Sequence, residues 1–399
     1  MNQRRLRIGI AGLGRAYSLM APAFAADPRF ETVAGADPRP EARAQFVADW
    51  RARTYATIED LVADEAVEIV YVASPHALHC AHVAAAAARG KHLLVEKPMA
   101  LTLADCRAMI AATERAGVTM VVGHSHSFDA PIRRARALIA GGKYGRLRML
   151  TAVNFTDFLY RPRRPEELDS AAGGGAVYNQ APHQVEMARL LGGGLVRSVR
   201  AATGNWDPAR PTEGAYTAFL TFEDGTFASL TYSGYAHFDS NEFCGFIGES
   251  GTIRRGTTHV ESRRQLRSTA TQEAEAQLKE ARNYGGAAYR APAAAPGPRL
   301  HQHFGFLVAS CDRADLRPLP QGVMIYGDDE ARLDVLPAPT RPRAEVMDEL
   351  YAAVADGKPP LHSGAWSLAT MEVCLAILQS AAEQREIMLE HQVAVTDVS

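Results

Sequence analysis

Gly12-Leu13-Gly14-Arg15-Ala16 stands where a short apolar run, Leu6 to Ala11, gives way to a helical pattern. Gly12 admits a tight turn, and Gly14 lets the backbone approach an anion resting on a helix N-terminus, so the pair reads as a pyrophosphate cradle. The third glycine of the usual fingerprint is missing, and Tyr17 takes its place. Asp37 ends the second apolar run, about twenty residues further on, where a carboxylate would bind an adenosine ribose 2′-hydroxyl. An acid there favours NAD over NADP, although Arg39 could offset its repulsion of a 2′-phosphate. Taken singly, the glycines make an ordinary strand-to-helix turn and Asp37 a turn residue before Pro38 and Pro40. Together they point to a dinucleotide.

Lys97 and His183 carry the proton chemistry. Lys97 follows the run Leu93 to Glu96, at the carboxyl end of a strand, where open parallel sheets bind ligands. Its ammonium could bridge a substrate oxygen and a base, with Glu96 positioning it or a ribose. The plain alternative is a surface lysine followed by Pro98. His183 follows Pro182, a good first helical residue, which puts it in the first turn of a helix. The positive helix end disfavours imidazolium and leaves a neutral ring able to accept a proton; a packed or capping histidine is the alternative. Other histidines come close together: His124 with His126, His301 with His303, and His76, His79 and His82. Residues two apart on a strand face one side, so His124 and His126 could converge on one ligand. No carboxylate or cysteine stands at ligand spacing, so substrate lining or packing is expected rather than a metal.

The elements that must position these groups change character near residue 124. Before it, Leu6–Ala11, Thr32–Ala36, Ile69–Ala73, Leu93–Glu96 and Val118–Gly123 are short apolar runs suited to parallel strands buried on both faces. Helical stretches separate them, and Thr57 and Thr102 each precede an acid by three residues, as helix caps do. After residue 125 come longer strands, Arg146–Phe155, Leu195–Asn205, Ala215–Phe222 and Thr226–Tyr235, with Asp224-Gly225 turning a hairpin between the last two. Residues 261–282 read as a charged helical stretch. Residues 285–298, rich in Ala, Gly and Pro, are expected to be irregular, either the most mobile part or a lid. Helices over 343–355 and 366–384 close the chain. The expected architecture is α/β: an N-terminal Rossmann domain with a doubly wound parallel sheet (1–124), then an α+β domain with a mainly antiparallel sheet (125–399).

Composition narrows the function. A chain of 399 residues with 47% hydrophobic and 22% charged residues is ordinary globular material for two domains. A net charge of −2 offers no field for phosphate backbones, so nucleic acid is not an expected partner. Five scattered cysteines form no C-x-x-C pair, which favours a reducing, cytoplasmic setting over a disulfide framework. The N-terminal run after Arg4, Arg5 and Arg7 is too short and too rich in glycine for a signal peptide. No segment is expected to be long and apolar enough to span a bilayer.

Three further segments carry a family resemblance: Ala73-Ser74-Pro75-His76-Ala77-Leu78-His79, Gly90 through Glu96-Lys97-Pro98, and Gly173 through Asn179-Gln180-Ala181-Pro182-His183. In this order the chain resembles the glucose–fructose oxidoreductase/inositol dehydrogenase/MocA family over essentially its whole length. The resemblance implies a nicotinamide-dependent dehydrogenase with Lys97 and His183 as catalytic lysine and histidine. It also implies cofactor contacts from Ser74, Pro75, His79 and Glu96, and a homo-oligomer, dimer or tetramer. The family commonly has an aspartate where this sequence has Asn179, which puts an aspartate–histidine relay in doubt and weighs against a sugar or inositol.

Gly123 to Asp129, Asp157 to Pro165 and His301 to Gly305 resemble bacterial dehydrogenases of phthalate 4,5-cis-dihydrodiol within that family. This narrower likeness implies a carboxylate-bearing small-molecule substrate and makes Arg161, Arg163 and Arg164, with His124, His126 and His183, its expected contacts. A sugar or cyclitol dehydrogenase and a non-catalytic nucleotide sensor are the competing expectations. Keeping both Lys97 and His183 weighs against the sensor.

Overall fold

The computed structural model describes residues 4–253, 259–269, 271–291 and 299–396. They form two compact units: one holds the described residues of Met1–His124, Gln277–Ala294 and Thr340–Leu368, the other those of Ser125–Ala276, Ala295–Pro339 and Ala369–Ser399.

In the first unit the strands are β1 (Leu6–Ala11), β2 (Phe30–Ala36), β3 (Arg53–Tyr55), β4 (Ile69–Val72), β5 (His92–Val95) and β6 (Met120–Val122). All pair in parallel, in the order β3-β2-β1-β4-β5-β6, the doubly wound Rossmann arrangement. Its helices are α1 (Arg15–Ala26), α2 (Pro40–Trp50), α3 (Ile58–Ala63), α4 (His79–Ala88) and α5 (Leu103–Ala116). Every residue of β4 is buried, as an unbroken apolar run in a two-faced sheet requires. Thr57 and Thr102 cap α3 and α5, accepting from the amides of Asp60 and Asp105.

Later chain completes this unit. Tyr284 packs edge-on against Tyr17 at 4.9 Å and donates to Asp49 at 2.6 Å, and a Cβ on Gly285 would lie 2.7 Å from the Glu41 carbonyl. Residues 285–291 form no helix or strand, as expected, and Gly285 sits against the backbone of α2; residues 292–298 lie outside the described residues. Arg341 pairs with Asp27 at 2.6 Å, and the Val122 amide donates to the His362 carbonyl at 2.8 Å.

The second unit carries α6 (Ala130–Ala140), β7 (Leu147–Phe155), α7 (Gly175–Asn179), α8 (Ala181–Leu191), β8 (Val196–Gly204), β9 (Ala215–Phe222) and β10 (Phe227–Ser233). The charged stretch expected as one helix forms two, α9 (His259–Arg267) and α10 (Gln272–Ala281). A four-strand meander that the sequence pattern did not reveal follows: β11 (Phe306–Cys311), β12 (Ala314–Leu319), β13 (Gly322–Gly327) and β14 (Ala331–Val335). Of the remaining elements α11 (Ala344–Ala355) belongs to the first unit, α12 (Gly364–Glu383) has residues of both, and β15 (Ile387–Met388) belongs to the second. The nine-stranded sheet runs β14-β13-β12-β11-β7-β10-β9-β8-β15, antiparallel except for the β7–β10 pair. Gly225, at φ +88°, turns the β9–β10 hairpin as Asp-Gly predicts.

One expectation is corrected by α12. Its 20 residues are long and apolar enough to cross a membrane, but Ala369, Val373, Cys374 and Ile377 are buried in the protein, which makes it a core helix.

Beside α12, Arg189 of α8 is fully buried, and burial presses its guanidinium down to about 9 against the pull of Glu186. It donates to Thr370 at 2.9 Å and to Gln392 at 3.0 Å, pinning the chain that follows β15. Arg189→Ala strands these acceptors and is expected to cost about 3–5 kcal/mol. Urea denaturation measures the loss, and amide exchange should show His391 to Val395 opening before β9 and β10.

Candidate functional site

In the first unit the candidate groups gather at the carboxyl ends of β1, β2, β4 and β5. Gly12 turns at φ +97°, and a Cβ there would lie 2.7 Å from the Ser74 amide nitrogen. Only glycine fits. Gly14, just before α1, faces open space, since a Cβ there would meet nothing within 4 Å. Arg15 is exposed and Ala16 partly so, in the first turn of α1. The Asp37 carboxylate accepts from the Leu13 amide at 2.8 Å and from Arg39 Nε at 3.0 Å, while Arg39 Nη2 donates to the Leu13 carbonyl at 2.7 Å. Turn, acid and arginine thus form one hydrogen-bonded unit. Tyr17, in place of the third glycine, turns into a buried aromatic group with Phe46 and Tyr284.

Ser74 is buried, and its hydroxyl has no hydrogen-bond partner among the described residues; Pro75 beside it is exposed. His79 has a different place from the one expected. It is fully buried, with Nε2 3.0 Å from the Ser74 carbonyl and Nδ1 3.1 Å from those of Pro98 and Met99. It therefore ties the Ser74 loop to the Lys97–Met99 loop and leaves no ring nitrogen for a cofactor. Burial lowers its proton affinity. Lys97 is part-exposed, directly after buried Glu96, which accepts a hydrogen bond from Tyr71. Burial raises Glu96 above its ordinary value, against the opposing charges of Arg343 and Lys97. His124 is buried but lies beyond the end of β6 at Val122, so strand alternation does not relate it to His126.

In the second unit His183 occupies the first turn of α8, as expected after Pro182, with 8% of its surface exposed. Its ring centroid lies 4.9 Å from that of His126 and 4.8 Å from Phe304, while Phe304 stacks on His126 at 5.0 Å. His126 Nδ1 donates to Asp129 Oδ2 at 2.7 Å. Asn179 donates to the Gly175 carbonyl at 2.8 Å and that of Gly173 at 3.3 Å, so its amide secures its own helix start.

The three arginines part company. Arg161 Nε holds Asp157 at 2.8 Å with 40% of its side chain exposed, and its charge also acts on Glu249. Arg163 is buried over the Phe158 ring at 3.8 Å, donating twice to the Phe158 carbonyl, and burial presses it down to about 10. Arg164 pairs with Glu166 at 3.0 Å in the turn Pro165–Leu168. Asp129, Phe304 and Glu249 join this group without having been singled out in the sequence. The His126-x-x-Asp129 spacing was a usable signal for the first, but the other two come from distant segments. His303 and His301 donate to the carbonyls of Ile247 and Pro337 and act as packing histidines. Among the described residues no three histidine, cysteine or acidic side chains converge as metal ligands.

Burial alone would raise Asp157, but Arg161 and hydrogen bonds from Ser262 and Arg161 bring it down to about 2. Because the folded value lies below the unfolded one, this carboxylate stabilises the protein at pH above about 4, and the contribution disappears as pH falls towards about 2. Asp157→Asn is expected to cost about 2 kcal/mol at neutral pH. The gap between variant and wild type in denaturant titrations should close on acidification.

Comparisons with known proteins agree with this architecture. The model of the oxidoreductase family with an NAD-binding Rossmann fold matches residues 6–124, and that of the GFO/IDH/MocA C-terminal domain matches residues 132–254. The chain is 45% identical over 377 residues, 94% of each protein, to 1-carboxy-3-chloro-3,4-dihydroxycyclohexa-1,5-diene dehydrogenase of Comamonas testosteroni. A Bordetella bronchiseptica protein of solved structure is 42% identical with TM-score 0.90, covering 96% of this chain and all of its own. Levoglucosan dehydrogenase in complex with NADH and levoglucosan, 18% identical with TM-score 0.73, shares the fold. The chain is thus an oxidoreductase and belongs to the GFO/IDH/MocA family.

Proposed function

We propose that this enzyme uses NAD to oxidise a carboxylated cyclohexadiene cis-diol, phthalate 4,5-cis-dihydrodiol, to the catechol 4,5-dihydroxyphthalate. The observation that carries the reading is the identity, over almost the whole of both chains, to a dehydrogenase of a carboxylated dihydroxycyclohexadiene. Arg161 adds to it as a part-exposed guanidinium that offers a fork to a carboxylate. With Arg163 and Arg164 engaged in their own loop, a diol bearing a single carboxylate is the second reading.

The glycine turn fits a dinucleotide: Gly14 leaves open backbone at a helix start, Ser74 has a buried hydroxyl without a partner among the described residues, and Asp37 presents an acid at the ribose position. A bound nicotinamide supplies the hydride acceptor. Asp37 favours NAD over NADP, since a 2′-phosphate would face its charge. Lys97 holds the reacting hydroxyl through its ammonium, and His183, kept neutral by the helix start, takes the hydroxyl proton. Asn179 keeps the start of α7 in shape just ahead of His183. The ketone so formed tautomerises to an aromatic catechol, which drives the reaction forward.

The five free cysteines support a reducing compartment. The outer face of the nine-stranded sheet, where Phe219 stacks on Phe227 beside Met149, supports association of copies through that sheet.

The test is spectrophotometric. Purified enzyme with NAD or NADP receives the phthalate dihydrodiol, a monocarboxylate dihydrodiol, inositol or glucose. The expected result is reduction of NAD with the phthalate dihydrodiol. Lys97→Ala should lower kcat by at least about a hundredfold, whereas Arg161→Ala should mainly raise KM, by about tenfold or more. Turnover of polyols alone would sink the aromatic assignment.

A further inference from the structure

A base that removes a proton at every turnover must pass it on, and in this protein the ring beside His183 belongs to a second histidine that is already paired with an acid. We propose that His126 and Asp129 form a buried proton-accepting pair that positions His183 and takes up its proton after the substrate hydroxyl has been deprotonated. The proposal rests on His183 being the base.

Four observations meet here. His126 donates from Nδ1 to Asp129 at 2.7 Å; since an ionised carboxylate only accepts, Nδ1 must carry the hydrogen and Nε2 the lone pair. The two imidazoles lie edge to face, 4.9 Å between centroids at 68°, and Phe304 touches both rings, which fixes their relative orientation. His126, Asp129 and His183 are each less than 9% exposed, so all three groups are largely withdrawn from solvent. Asn179, nearest to His183 along the chain among the predicted site residues, donates its amide to carbonyls and offers no charge.

Charged groups also act on the pair. Glu249 and His303 interact electrostatically with His126, and Arg161 acts on Glu249. Burial would raise Glu249, but the Arg161 charge and a hydrogen bond from Asn154 prevail and lower it. Burial lowers the proton affinity of His303. The step balances without a further reactant: the carbinol C–H leaves as hydride to the oxidised nicotinamide and the O–H proton passes to His183. That proton then moves to His126 Nε2, and the imidazolium beside Asp129 releases it to water.

Asp129→Asn and His126→Gln test the proposal through pH profiles of kcat and KM, NAD titration by fluorescence and thermal melting. Expected for Asp129→Asn is a kcat lowered by about tenfold or more, with KM changed less than about twofold and NAD affinity retained. The acid limb of its kcat profile should move to lower pH, because a ring without its carboxylate holds a proton less tightly. A change in KM or melting temperature with kcat and its limb unmoved would overturn the relay and leave a packing role.

Histidine-ring NMR of the substrate-free wild type separates this idea from the reaction it serves. Coupled titrations of His126 and His183, uncoupled in Asp129→Asn, support the pair even where the substrate assignment fails. Independent titrations in the wild type overturn it even where the dihydrodiol is turned over.

Discussion

The close passage of the Gly12 backbone beside Ser74 is the constraint on which the N-terminal site depends. At 2.7 Å from the Ser74 nitrogen there is no room for any Cβ, so β1 and β4 approach at their carboxyl ends only because residue 12 has none. That approach presents the start of α1 openly at Gly14 and lets Asp37 reach under the turn to the Leu13 amide. His79 extends the same frame sideways, from the Ser74 loop to the segment bearing Lys97. Lys97 needs little rigidity of its own, because the Pro98 and Met99 carbonyls that follow it are held by a fully buried ring.

The second unit solves a related problem with rings. His126, His183 and Phe304 come from three separate segments and lock one another by edge and face contacts worth about 0.5–1.5 kcal/mol per pair beyond burial. Around them Asp157, Arg161 and Glu249 alternate in sign, so each charge is offset close by.

Much of this was legible from sequence where local chemistry decides the outcome. The apolar runs of β1 and β4, the Thr57 and Thr102 caps, the Asp224-Gly225 turn and the place of His183 after Pro182 all follow from neighbouring residues. The meander β11–β14 was not legible: its strands are only five or six residues long, and Pro318 sits within β12. His79 misled for the opposite reason, since a histidine at a ligand-binding edge and one bonded to three carbonyls look alike until the loops are placed. Phe304 and Glu249 belong to the site through pairings that no local pattern encodes, and the arginine cluster divided because one cation–π stack on Phe158 captured Arg163.

The Rossmann unit is not continuous in the chain, and this bears on its synthesis. Asp27 waits for Arg341, Val122 for His362, and Tyr17 for Tyr284. When residue 124 leaves the ribosome, all six parallel strands have been made, yet the chain that covers Tyr17 and adds Arg341 to the Asp27–Arg29 pair has not. An N-terminal domain commonly folds while the next is translated, but the described form of this unit includes contacts from Tyr284, Arg341 and His362, so it is complete only once residues far beyond 124 have been made.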